Sequence, residues 1–117
     1  MRVSELSGDL LDYWVARAEG IEHGPDLREM RPGGVLIKMW SKEGFTFYTA
    51  YTPSTDIAQA WPIIERERPS LTPLNSGVGW YATHNGMPYY GDTVQVAALR
   101  AFVGATFGES VPVEVPA

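Results

Sequence analysis

Asn85-Gly86 stands between two runs rich in aromatic and small residues, Gly79 to His84 and Met87 to Tyr90. Both members of the dipeptide tolerate the positive φ angles of a type I′ turn, whose twist matches that of paired strands, so an antiparallel hairpin is expected over 79–90. A second hairpin is expected upstream. Val35 to Ser41 and Phe45 to Tyr51 are β-branched and aromatic, and a short turn ending in Gly44 joins them. In the later strand Phe45 and Phe47 alternate with Thr46 and Tyr48, which marks the Phe pair as core-facing; Lys38 and Trp40 share one face of the earlier strand. Pro69 and Pro73 confine Ser70 to Leu74 to a short edge strand, because proline cannot donate to a ladder on both sides.

Helical signals frame these hairpins. Ser7 is placed to cap a helix running to Glu19, with Gly20 as its stop. Leu10, Leu11, Trp14, Val15 and Ala18 form its inward stripe, leaving Asp9, Asp12, Arg17 and Glu19 for water or the edges. Residues 22–34 carry turn formers and charges without apolar periodicity and read as a surface loop. Ser54 is expected to cap a central helix with Ile57, Ala58 and Trp61 facing inward, kinked or restarted at Pro62. Asp92-Thr93-Val94-Gln95 resembles a capping box opening a last helix over 93–107, with Val96, Leu99, Val103 and Phe107 spaced for burial. Glu109 to Ala117 reads as an acidic, proline-containing, poorly anchored tail. The expected architecture is a single α+β domain over 1–108: two antiparallel hairpins forming one sheet, the terminal helices packed on it, and a short kinked central helix.

Composition then removes whole classes of function. Nine basic against fourteen acidic residues give a net charge of -5, which opposes binding of a nucleic-acid polymer through a broad basic face. With no cysteine in the chain, disulfides, thiolate zinc sites and cysteine nucleophiles are out, and a reducing cytoplasm is the expected compartment. No run is apolar enough for a membrane span, so no membrane partner is expected. His23 and His84 are the only histidines. They lack metal-ligand spacing, and neither a metal nor a cofactor is expected. Ser54, His84 and Asp56 are the best triad components, yet no nucleophile elbow accompanies them, and the expectation is a protein without catalytic activity. Arg66 and Arg68, interleaved with Glu65 and Glu67, read as a solvated mixed-charge face.

Polar residues crowd one strand-to-helix junction, from Tyr51 to Gln59. Two readings stand open there. One is a well-capped helix. The other is a site for a small polar ligand formed by Tyr51, Ser54, Thr55, Asp56 and Gln59, with Trp80 as an aromatic wall.

The same segment carries a family resemblance. Ser4-Glu5-Leu6, the run Leu11 to Gly20, Pro53-Ser54-Thr55-Asp56, Ala58-Gln59, Pro62-Ile63-Ile64-Glu65, Trp80, and the helix from Ala97-Ala98-Leu99-Arg100 to Phe107-Gly108 together resemble the NinX-like family of small phage proteins. That family has no established activity. Its members often carry Trp where this chain has Ile57 and paired glycines where it has Ala60-Trp61, so the aromatic has moved along the helix. The resemblance implies a phage or prophage gene whose product acts in the bacterial cytoplasm. In that setting the leading expectation is a non-enzymatic protein that sequesters a small host ligand, such as a nucleotide signal, as a counter-defence. The alternative is an adaptor or inhibitor that grips a host protein through its acidic first helix and the loop after it. Oligomeric state is not legible.

Overall fold

The computed structural model describes residues 1–21, 27–29, 35–43 and 45–112. The side chains of Lys38, Trp40, Phe45 and Phe47, together with His23, most of the 22–34 loop and the end of the tail, lie outside what it describes. The chain is α+β: α1 (Gly8–Ala18), β1 (Leu27–Glu29), β2 (Val35–Lys42), β3 (Phe45–Ala50), α2 (Ile57–Glu67), β4 (Ser70–Pro73), β5 (Trp80–His84), β6 (Met87–Gly91) and α3 (Val94–Phe107). The hairpins do not merge into one sheet as expected. They build two separate three-stranded antiparallel sheets, β1-β2-β3 and β4-β5-β6. Each hairpin recruited a different third strand. β1 lies inside the segment read as loop and pairs with β2, whereas the proline-bounded β4 pairs with β5 alone, at the sheet edge. Asn85 and Gly86 have φ of 54° and 84°, and His84 faces Met87 across them, which is the two-residue turn the dipeptide demands.

α3 is the hub. Ala97, Ala98, Leu99, Ala101, Phe102 and Val103 are all buried, so the helix is wrapped on more than one side, and it packs on β5, β6, α1 and α2. The alanines permit that close approach. Its cap is shifted by one residue from the expected box: Thr93, not Asp92, accepts from Val96 N–H at 3.2 Å. Phe107, expected inside, is 38% exposed and meets Trp14 edge-on at 5.5 Å.

α2 departs furthest from expectation. Its N-cap is Asp56, which accepts from Ala58 N–H at 3.0 Å. The apolar row that follows is Ala60, Ile63 and Ile64, and this turns Ile57 and Trp61 outward, 47% and 54% exposed. The helix is continuous through Pro62. Ala58 and Pro62 are both exposed, so the carbonyl deprived of its usual donor is left to water and the break is avoided.

Both ends of the described chain are tied together. Val3 N–H donates to Glu109 O at 2.8 Å, Val111 N–H to Met1 O at 2.9 Å and the Met1 amine to Val111 O at 2.8 Å, with Arg2 opposite Ser110. Val111 is buried. The first residues of the expected loose tail are therefore anchored, because the valine supplies apolar area and the backbone groups find partners in residues 1–3. Arg100 closes the same side, donating from Nε to Leu6 O at 2.8 Å and from Nη1 to Tyr90 O at 2.6 Å.

Candidate functional sites

The junction between β3 and α2 is held by a residue that periodicity left for water or the edges of the α1 stripe. Asp12 on α1 is 2% exposed. Its Oδ1 accepts from Ser54 N–H at 2.8 Å and its Oδ2 from Ser54 Oγ at 3.0 Å. Burial pushes the Asp12 carboxyl up from 3.8 to about 6, against the lowering effect of the two Ser54 bonds. Ser54 is thus a partner for a buried carboxylate and not a helix cap. The sequence did hold a hint: Gly8, Asp12 and Ala16 form an i, i+4 row next to the apolar stripe, and small residues above and below mark a side where another segment comes close.

Gln59 completes the junction. Its Oε1 accepts from Thr52 N–H at 2.6 Å and its Nε2 donates to Ala50 O at 2.9 Å, replacing ladder bonds where β3 ends. Thr55 is exposed, its hydroxyl 3.4 Å from Thr52 O. Tyr51 is 7% exposed; burial first, then the Glu19 and Asp12 carboxylates, push its phenol above its ordinary range. The structure therefore brings Tyr51, Ser54, Thr55, Asp56 and Gln59 into one region. Trp80 stands apart from them, on β5 opposite Pro73 and Gly91, and among the described residues its side chain has no hydrogen bond or ring contact with Tyr51, Ser54, Thr55, Asp56 or Gln59. Asp56→Ala is expected to cost about 1 kcal/mol in urea unfolding and Asp56→Asn only a few tenths, since Asn caps as well as Asp.

Neighbouring charges are also engaged. Arg66 binds Glu19, the residue that closes α1, at 2.9 Å and Glu67 at 2.8 Å, and its guanidinium lies 5.3 Å from the centre of the Phe102 ring on α3. The mixed-charge run expected to be merely solvated contains a connector of three helices. His84 Nε2 is 3.5 Å from Glu67, so Ser54, His84 and Asp56 have separate partners and form no relay. Among the described residues no three His, Asp or Glu side chains gather into a metal-holding group, and no helix is long and apolar enough to cross a membrane.

Two surfaces remain that sequence reading missed. The first is the outer side of α2, where Ile57 and Trp61 are neighbours at i, i+4, beside the exposed pair Ala58 and Pro62 at the same spacing. The second is a cleft of about 370 Å³ lined by Arg2, Ser4, Met87, Pro88, Tyr89, Glu109 and Ser110. Four of those seven residues come from the paired termini, which no local pattern links.

A family model described as "Bacteriophage P22, NinX" matches residues 2–105. No curated protein matches the chain.

Proposed function

Because this chain belongs to the bacteriophage P22 NinX family, we propose that it is a non-enzymatic phage protein that binds a host protein in the bacterial cytoplasm through the outer side of α2. The observation behind this reading is Trp61, the largest exposed hydrophobic residue among the described ones, 54% open to solvent with Ile57 one turn before it at 47%. An exposed Trp costs solvation and offers nothing to the core, whereas Trp is the residue most used as an anchor in a partner's pocket. An amphipathic helix with a second apolar strip fits a hydrophobic groove.

The acidic face of α1 is less suited to that role. Asp12 is buried and Glu19 is spent on Arg66. The small-ligand reading is disfavoured by the same accounting. A polar or nucleotide-like ligand among Tyr51, Ser54, Thr55, Asp56, Gln59 and Trp80 would have to displace the Asp12–Ser54 and Gln59–Thr52 bonds, which sequestering a host signal would require each time.

The test is capture from lysates of infected cells with the wild type, Trp61→Ala, and an Asp9→Asn/Glu19→Gln double variant. Trp61→Ala is expected to weaken a saturable host partner at least about 30-fold, the loss of about 2 kcal/mol typical of an anchor, with unfolding unchanged within about 0.5 kcal/mol. Loss through the acidic pair alone would move the interface to α1. A partner retained by both variants would overturn the proposal.

A further inference from the structure

The cleft beside the paired termini has an unusual charge arrangement. Arg2 and Glu109 both line it, both are exposed, and among the described residues neither makes an ion pair or a side-chain hydrogen bond. Their backbones are nevertheless fixed. Val3 N–H donates to Glu109 O at 2.8 Å and Arg2 stands opposite Ser110, so a cation and an anion are held on one short ribbon without neutralising each other. Ser4 and Ser110 add hydroxyls on the same side. Met87, 45% exposed, and Pro88 form an apolar wall, and Tyr89 is buried behind them. Burial and then the Glu109 carboxylate raise the Tyr89 phenol, which places that carboxylate on the Tyr89 side.

We propose that this cleft binds a small zwitterion with an apolar body, its carboxylate taken by Arg2, its ammonium by Glu109, and its body laid on Met87 and Pro88. A lone anion meets Glu109 and a lone cation meets Arg2, so either is opposed by half of the site. A molecule carrying both charges satisfies the two together, and Arg offers a carboxylate two parallel donors. A volume of about 370 Å³ is at the small end of ligand sites, which suits a ligand of amino-acid or dipeptide size.

The experiment uses the full chain and three probes, free leucine, leucinamide and N-acetyl-leucine, followed by amide chemical shifts in two-dimensional NMR. Leucine is expected to shift Arg2, Ser4, Met87 and Ser110 saturably, and each singly charged probe to bind at least about tenfold more weakly, the loss of one charged partner. Arg2→Gln should abolish the preference over leucinamide, and Glu109→Gln the preference over N-acetyl-leucine. A merely structural role for these side chains would produce neither selective loss. No saturable shift with leucine up to about 10 mM, or equal binding of all three probes, overturns the site. Trp61→Ala leaves these shifts unchanged, so failure here and failure of the α2 interface are read separately.

Discussion

Gly91→Ala is expected to be the most damaging alanine substitution among the described glycines, lowering stability by about 3 kcal/mol and the melting temperature by roughly 12–20 °C. Gly91 ends β6 opposite Trp80 and is buried. A Cβ built there would collide with the backbone nitrogen of Ala97 and stand 2.9 Å from Val96 C and 3.0 Å from Ala97 Cα. Those atoms belong to the first turn of α3, and backbone in a packed helix cannot swing away as a side-chain end does. Relief requires α3 to move off β6, and α3 is the element that β5, α1 and α2 also rest on.

Two other glycines calibrate the effect. At Gly104 an added Cβ would meet the Tyr89 ring, including its hydroxyl, with Cζ at 2.5 Å. A ring displaced toward the open cleft costs about 1–2 kcal/mol. At Gly86 nothing lies within 4 Å, and only the φ of 84° opposes a side chain, worth about 1 kcal/mol. Urea midpoints for the three alanine variants should fall in the order Gly86, Gly104, Gly91. Gly91→Ala no worse than Gly86→Ala would show that β6 and α3 do not approach so closely.

What the sequence revealed and what it hid divide by the range of the interaction. The β5-β6 turn was legible because Asn85-Gly86 fixes its own dihedrals, and the edge status of β4 because Pro69 and Pro73 act on their own backbone. Trp61 was misplaced for a local reason with a distant cause. Ser54 and Asp56 are both good cap residues, and the choice between them fixes which side of α2 is apolar. Ser54 is withdrawn from capping by Asp12, 42 positions away, a bond no periodicity reports. The third strand of the first sheet was hidden similarly, since β1 has three residues, Leu27–Glu29, too few for alternation to show. Of the candidate site, the crowding of Tyr51 to Gln59 was visible; its purpose was not, because Asp12, which holds Ser54, comes from elsewhere in the chain.

Asp12 should make this protein more stable in mild acid than at neutral pH, contrary to the usual behaviour of a paired carboxylate. The usual Asp has a folded pKa below its unfolded one and loses stability as pH falls. Here burial outweighs the two Ser54 bonds and the folded value rises from 3.8 to about 6, so the native state binds the proton more tightly than the unfolded chain does. The stabilisation is complete below about pH 4 and disappears as pH climbs through about 6, amounting to about 1.4 kcal/mol between about pH 5 and 7.5. Asp12→Asn is expected to flatten this dependence and to leave the protein at least as stable at about pH 7.5, because the amide oxygen still accepts from Ser54 N–H while its nitrogen donates to Ser54 Oγ. Ser54→Ala acts in the opposite sense. It strips one donor from the carboxylate, so it should cost about 1–2 kcal/mol near neutrality and much less at about pH 4.5, where the proton has already discharged Asp12. A cap would give no such pH-dependent penalty, since its loss weighs equally on both sides of the titration. Urea unfolding of the three proteins across this range decides the matter: a slope that survives in Asp12→Asn assigns the pH dependence to another group, and a Ser54→Ala penalty independent of pH removes Ser54 from the Asp12 carboxylate.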